Sequence, residues 1–123
     1  ILRFLVIDDP TVRVAIIRDI DSRFNLRELM AVNEWLASPD HLFHTMRDHM
    51  NHDVAVMGGM FGMKRGLFPN TTMTDLAKQQ LFEVFPHPAK IHGCCGEDQN
   101  FLSRLWHGHL KKTAMDHDIF PWR

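Results

Sequence analysis

The stretch from Val12 to Glu28 constrains this chain most. Val12 to Arg18 (VRVAIIR) is rich in β-branched residues and stops at Asp19-Ile20-Asp21. Beyond the stop, Asn25 opens a segment whose apolar residues recur at helical rather than alternate spacing. A change of period from two to about 3.6 across one polar turn predicts strand, turn, helix. Asn25 is a good N-cap, and Glu28 at N3 completes a capping box. The helix is predicted to run to about Ala37, with an apolar face of Leu26, Leu29, Met30, Ala31, Trp35 and Leu36. Ser38-Pro39-Asp40 ends it.

The same reading extends along the chain. Leu2 to Ile7 is predicted to be a buried strand closed by Asp8-Asp9-Pro10. Phe43 to Arg47 reads as a short strand, and Val54 to Met57 as another, broken at Gly58-Gly59. Thr72 to Phe85 is a helix capped by Thr72 with Asp75 at N3. His87 to Gly96 reads as loop. A third helix starts near Glu97 and carries Phe101, Leu102, Leu105 and Trp106. A last strand, Thr113 to Met115, delivers Asp116-His117-Asp118 at its end. Strands alternating with helices give an α/β domain. Residues 1–123 are too few for more than one domain. Polar residues cluster after the carboxyl ends of strands, where open α/β sheets place their sites.

Composition sets further bounds. A net charge of −1, with acids and bases interspersed, offers no broad footprint for nucleic acid or an anionic membrane. No apolar run reaches the roughly 18 residues that a membrane span needs. Cys94 and Cys95 are adjacent, a spacing that strains a disulfide, so a reduced, cytoplasmic chain is expected. The chain opens on Ile1, which raises the expectation of a fragment. Trp35 and Trp106 fall on apolar helix faces and are expected in the core, whereas Trp122 fits either core or ligand.

Candidate chemistry gathers at the strand ends. Asp19 and Asp21 offer carboxylates to one hard cation, and Mg²⁺ and Mn²⁺ take such oxygen ligands. A solvated turn is the ordinary alternative. Arg18 and Arg23 flank the pair and suit either phosphate or salt bridges. Gly58-Gly59 allows close approach of a ligand, or is a simple turn. His117 could add a nitrogen ligand. His49 and His52 fit either acceptor contacts or solvated loop.

Together, "IIRDIDSR", "RDHMNHDVAVMGGMFGMKRG", "EDQNFL" and "DHDIF" resemble the motifs of GT-A-type, nucleotide-sugar-dependent glycosyltransferases. The resemblance covers about Phe4 to Phe120. It implies a GT-A-like, Rossmann-related mixed sheet flanked by helices, and an enzyme that moves a sugar from a nucleotide-sugar donor to a glycan or other hydroxyl acceptor. By the same resemblance, Asp19 and Asp21 hold Mn²⁺ or Mg²⁺ with His117. Arg18, Asp19, Gly58, Gly59 and Gln99 lie along the donor, and Asp98 faces the reacting centre. GT-A enzymes place nucleotide-binding strands before the Asp-x-Asp motif, and only one strand is predicted here. The chain is therefore expected to be the C-terminal part of a longer GT-A domain.

Three rivals remain. "FLVIDDPTVR" resembles the opening of a response-regulator receiver, but Gly58 stands where the phospho-acceptor aspartate belongs. His52-Asp53 and His117-Asp118 prompt a histidine–aspartate phosphohydrolase, whose pairs belong on helices. A non-catalytic binding module is the third.

Overall fold

The computed structural model describes residues 2–84 and 97–119. Four strands form one mixed sheet: β1 (Val14–Arg18), β2 (Phe43–Arg47), β3 (Met60–Lys64) and β4 (Ala114–Asp118), in the order β1-β3-β2-β4. β3 runs antiparallel to both neighbours, and β2 pairs parallel with β4. β1, β2 and β4 therefore point the same way, and their carboxyl ends share one end of the sheet. This is a small α/β domain, as the alternating pattern predicted. A receiver's doubly wound sheet is parallel throughout, unlike this one.

α1 (Leu26–Ala37) covers one face of the sheet. Asn25 caps it as predicted, its side chain accepting from the Glu28 amide at 2.9 Å. The capping box is not completed: the Glu28 carboxylate turns inward to the Arg18 guanidinium instead. Only Glu28, Ala31 and Trp35 of α1 are buried. The predicted apolar face is thus narrower than expected, and Leu26, Leu29, Met30 and Leu36 stay exposed. Trp35 is fully buried against Gly62, where an added Cβ would come within 2.7 Å of the indole. A glycine in mid-strand is what lets this large ring lie flat on the sheet.

The other face carries the main core. Phe4 packs edge-on to Phe61 with ring centroids 5.2 Å apart and stacks on Phe101 at 6.2 Å. α2 (Met73–Val84) adds Met73 and Ala77, and α3 (Glu97–Leu105) adds Phe101, Leu102 and Leu105. α3 continues through a π turn, Trp106–Leu110, into a 3-10 turn, Lys111–Thr113, before β4. Trp106 is buried, as predicted.

Several predicted boundaries are corrected. Leu2–Asp8 is a 3-10 helix, not a strand: Phe4 and Ile7 are buried three residues apart, while Leu2 and Val6 are exposed. Val54 to Met57 is not a strand. The strand begins at Met60, so Gly58-Gly59 precede it rather than follow one. Asp116-His117-Asp118 lie inside β4 rather than beyond it. α2 is capped by Thr72, whose hydroxyl accepts from the Asp75 amide at 3.0 Å. Asp8 adds a second cap, accepting from the Met73 and Thr74 amides at 2.9 and 2.7 Å. The predicted loop from His87, the cysteine pair and Trp122 lie outside the described residues. Among the described residues no helix is long and apolar enough to cross a membrane.

Candidate active site

β1 ends at Arg18, and the chain turns at once, with the Ser22 amide on the Asp19 carbonyl at 3.0 Å. The Asp19 carboxylate accepts from Arg3 Nη1 at 2.6 Å. Arg3 Nη2 reaches Asp98 Oδ2 at 3.1 Å, so one guanidinium clamps two carboxylates from opposite ends of the chain. Asp98 lies in the first turn of α3, where the helix dipole favours a negative charge. Next to it, Gln99 Oε1 accepts from the Gly58 amide at 3.3 Å, and its amide group donates to the Val56 carbonyl. Gln99 thereby fixes the β2–β3 loop on the start of α3.

Both glycines have a steric reason to be there. A Cβ on Gly59 would fall on the Asp19 carboxylate, and one on Gly58 would sit 3.2 Å from Arg3 Nη2. Five of the residues singled out in the sequence therefore meet: Asp19, Gly58, Gly59, Asp98 and Gln99. They come from the end of β1, the approach to β3 and the start of α3. Arg18 joins them partly. Its charge pairs with Glu28 on the α1 side, while Nη1 lies 3.5 Å from the Gly59 carbonyl. Asp21 is exposed on the same turn as Asp19.

Sequence reasoning missed Arg3, the residue that organises the cluster. Its signal was a lone cation inside the apolar run Leu2 to Ile7, out of place in a buried strand.

His117 is not part of this cluster. It sits on β4, one edge of the sheet, whereas Asp19 follows β1 at the other. Its side chain shares the α1 face with His44, whose Nε2 lies 3.0 Å from His117 Nδ1, and His117 Nε2 is 3.2 Å from Glu34 Oε2. His44 is buried and stacked on Trp35 at 5.3 Å. Burial pushes its imidazole down to about 3, helped by His117 and Arg18 nearby.

These positions decide how well a divalent cation would fit. The Asp19 carboxylate is half exposed and already holds a cation, the Arg3 guanidinium. Such oxygen donors suit Mn²⁺ or Mg²⁺, with Asp21 on the same turn. His117 does not converge with them. No group of three or more His, Cys, Asp or Glu placed to hold a metal occurs among the described residues.

Two other features lie outside this cluster. Arg47, on β2 and fully buried, binds Asp118 at 2.9 Å, Asp116 at 3.1 Å and the Ala55 carbonyl. A cavity of about 320 Å³ opens beside it, lined by Arg47, Asp53, Ala55, Trp106, Lys111 and Asp116. A groove of about 570 Å³ lies on the α1 side between Ile16, Phe24, Leu26, Leu29 and Val32, and is almost wholly apolar. No family model, no curated protein and no solved structure matches this chain.

Proposed function

We propose that this chain is a glycosyltransferase domain of GT-A type, moving a sugar from a nucleotide-sugar donor to a glycan or other hydroxyl acceptor. One observation carries the reading. Residues separated by about 40 positions twice over, Asp19, Gly58-Gly59 and Asp98-Gln99, form a single cluster at the carboxyl end of the sheet.

Each residue has work in that reaction. Gly58 and Gly59 let the Asp19 carboxylate and the Arg3 guanidinium lie directly against the backbone, which gathers both charged groups where a donor would bind. Asp98, partly exposed and held by Arg3, faces the reacting centre. In an inverting transfer it would take the proton from the acceptor hydroxyl as that oxygen attacks the anomeric carbon. In a retaining transfer it would position the donor sugar. Gln99 keeps the glycine backbone and Asp98 in fixed relation. Arg3 supplies positive charge beside the donor's diphosphate. Asp19 and Asp21 would be the residues that hold Mn²⁺ or Mg²⁺, and such an ion would supply charge neutralisation for a diphosphate leaving group. His117 stays outside this donor set in the arrangement described above.

The test is nucleotide-sugar turnover with Mn²⁺, using UDP- and GDP-sugars, on the wild type and on Asp98→Asn. Loss of about 10²–10⁴ in kcat is expected for the variant, with nucleoside diphosphate affinity kept. A wild-type chain that binds neither UDP nor GDP in the presence of Mn²⁺ would sink the proposal.

A further inference from the structure

The cavity beside Arg47 has no part in the reaction just described. Three observations give it one. First, it adjoins the cluster through a single run of backbone: Arg47 holds the Ala55 carbonyl, Gln99 holds the next carbonyl, Val56, and Gln99 also takes the Gly58 amide. Consecutive residues lie about 3.8 Å apart, so cavity and reacting centre share one wall.

Second, its lining has a particular chemistry. Asp53, Asp116 and Lys111 surround an indole wall, Trp106, and Arg47 is locked behind them. Carboxylates accept from hydroxyls and an ammonium donates to them. The two carboxylates are matched by two cations, Arg47 and Lys111, with Arg47 on Asp116 at 3.1 Å, so the lining has no net charge and favours a neutral polar ligand over an ion. A neutral ring rich in hydroxyls satisfies all three groups. A volume of about 320 Å³ is at the small end of small-molecule sites, roughly 300–1,000 Å³.

Third, the wall formed by Trp106 and Lys111 is set by the π turn Trp106–Leu110. Such turns are rare and concentrate at functional sites, because the extra residue re-aims neighbouring side chains. Here it carries α3 from Asp98 and Gln99 at its start to the cavity at its end.

We propose that this cavity, bounded by Arg47, Asp53, Trp106, Lys111 and Asp116, binds a neutral pyranose ring and is the acceptor-sugar subsite. Its acceptor role rests on the transferase reading above; its sugar binding does not. The ring lies against Trp106, with hydroxyls on Asp53, Asp116 and Lys111. A further hydroxyl is directed past Ala55 and Val56 toward Asp98.

The experiment titrates the full chain with methyl glycosides of glucose, galactose and mannose, following the Trp106 indole N–H by NMR, assigned with Trp106→Phe. At least one glycoside is expected to shift that signal saturably. Lys111→Ala and Asp53→Asn should weaken its binding about tenfold, while Lys112→Ala, whose residue does not line the cavity, leaves it unchanged. Mn²⁺-dependent UDP or GDP binding should be the same in all of them. No shift with any glycoside, or equal affinity in all variants, overturns the proposal. Glycoside binding at Trp106 in a chain that binds no nucleotide upholds the sugar site and removes the transferase reading.

Discussion

Two glycines show how one substitution can mean different things at different addresses. Gly62→Ala would drive a methyl group into the Trp35 indole, which is fully buried and has nowhere to move. Overpacking of this kind costs about 1–3 kcal/mol, read as a lower denaturant midpoint with the same slope. Gly59→Ala meets the end of the Asp19 side chain, which is half exposed and can swing off Arg3 into solvent. Its stability cost is expected to stay under about 1 kcal/mol, the worth of the exposed Arg3–Asp19 pair that is lost. Under the proposed transferase function, its effect should appear in nucleotide-sugar turnover instead. His44 is the other residue with a distinct signature. It is neutral in the fold, with its proton affinity lowered to about 3 by burial and by His117 and Arg18, whereas an unfolded histidine titrates near 6.5. Below that value the unfolded state binds the extra proton, so stability falls as pH drops from about 6.5 toward 3. The expected slope approaches about 1.4 kcal/mol per pH unit. Thermal melts of the wild type and His44→Gln between neutral pH and pH 5 check this: equal losses in both would exclude His44 as the cause.

At the scale of elements, the helix ends are where local sequence speaks most directly. The Asn25 side chain holds one amide at the start of α1, and Asn25→Ala should cost about 1 kcal/mol. Asp8 holds two amides and the Thr74 hydroxyl at the start of α2. Asp8→Ala should therefore cost more, about 2 kcal/mol, because the same contact ties the N-terminal 3-10 helix to α2. Urea unfolding of both variants sets the order, and an Asn25→Ala loss larger than that of Asp8→Ala would contradict it. The first cap was legible because its partner is three residues away; the second spans more than 60 positions and left no local trace. The same distinction explains the misread elements. A six-residue apolar run such as Leu2 to Ile7 satisfies strand and helix patterns alike, and only burial three residues apart decides between them. β3 was hidden because Gly62 weakens its strand signal, and the need for that glycine is set by Trp35 on another element. The cluster of Asp19, Gly58, Gly59, Asp98 and Gln99 could be named from motifs. Arg3 left only a lone cation in an apolar run, and its role stayed hidden because its partners lie 16 and 95 residues away.

The whole molecule depends on Arg47 more than on any cap. Its guanidinium joins β2 to β4 through Asp116 and Asp118, holds the β2–β3 loop through the Ala55 carbonyl, and lies 5.8 Å from the Trp106 ring. With 2% of the side chain exposed, almost no water can take over these contacts. Removing the cation takes the Arg47 charge away from the Asp118 carboxylate, itself 9% exposed. Losing one partner of a buried pair typically costs about 3–5 kcal/mol, far more than the pair contributes net. Arg47→Met keeps much of the volume and should still lose about that amount, a large share of the roughly 5–15 kcal/mol that stabilises an ordinary domain. Arg47→Lys should rescue little, because an ammonium cannot serve two carboxylates and a carbonyl with the planar fork of a guanidinium. Combining Arg47→Met with Asp118→Asn should recover part of the loss, since the buried negative charge is then gone. Denaturant midpoints for the three variants decide it. If the double variant were no more stable than Arg47→Met, the buried Asp118 charge would not be the source of the cost. Lost packing of the arginine stem on Trp106 would then be the term that holds this end of the sheet together.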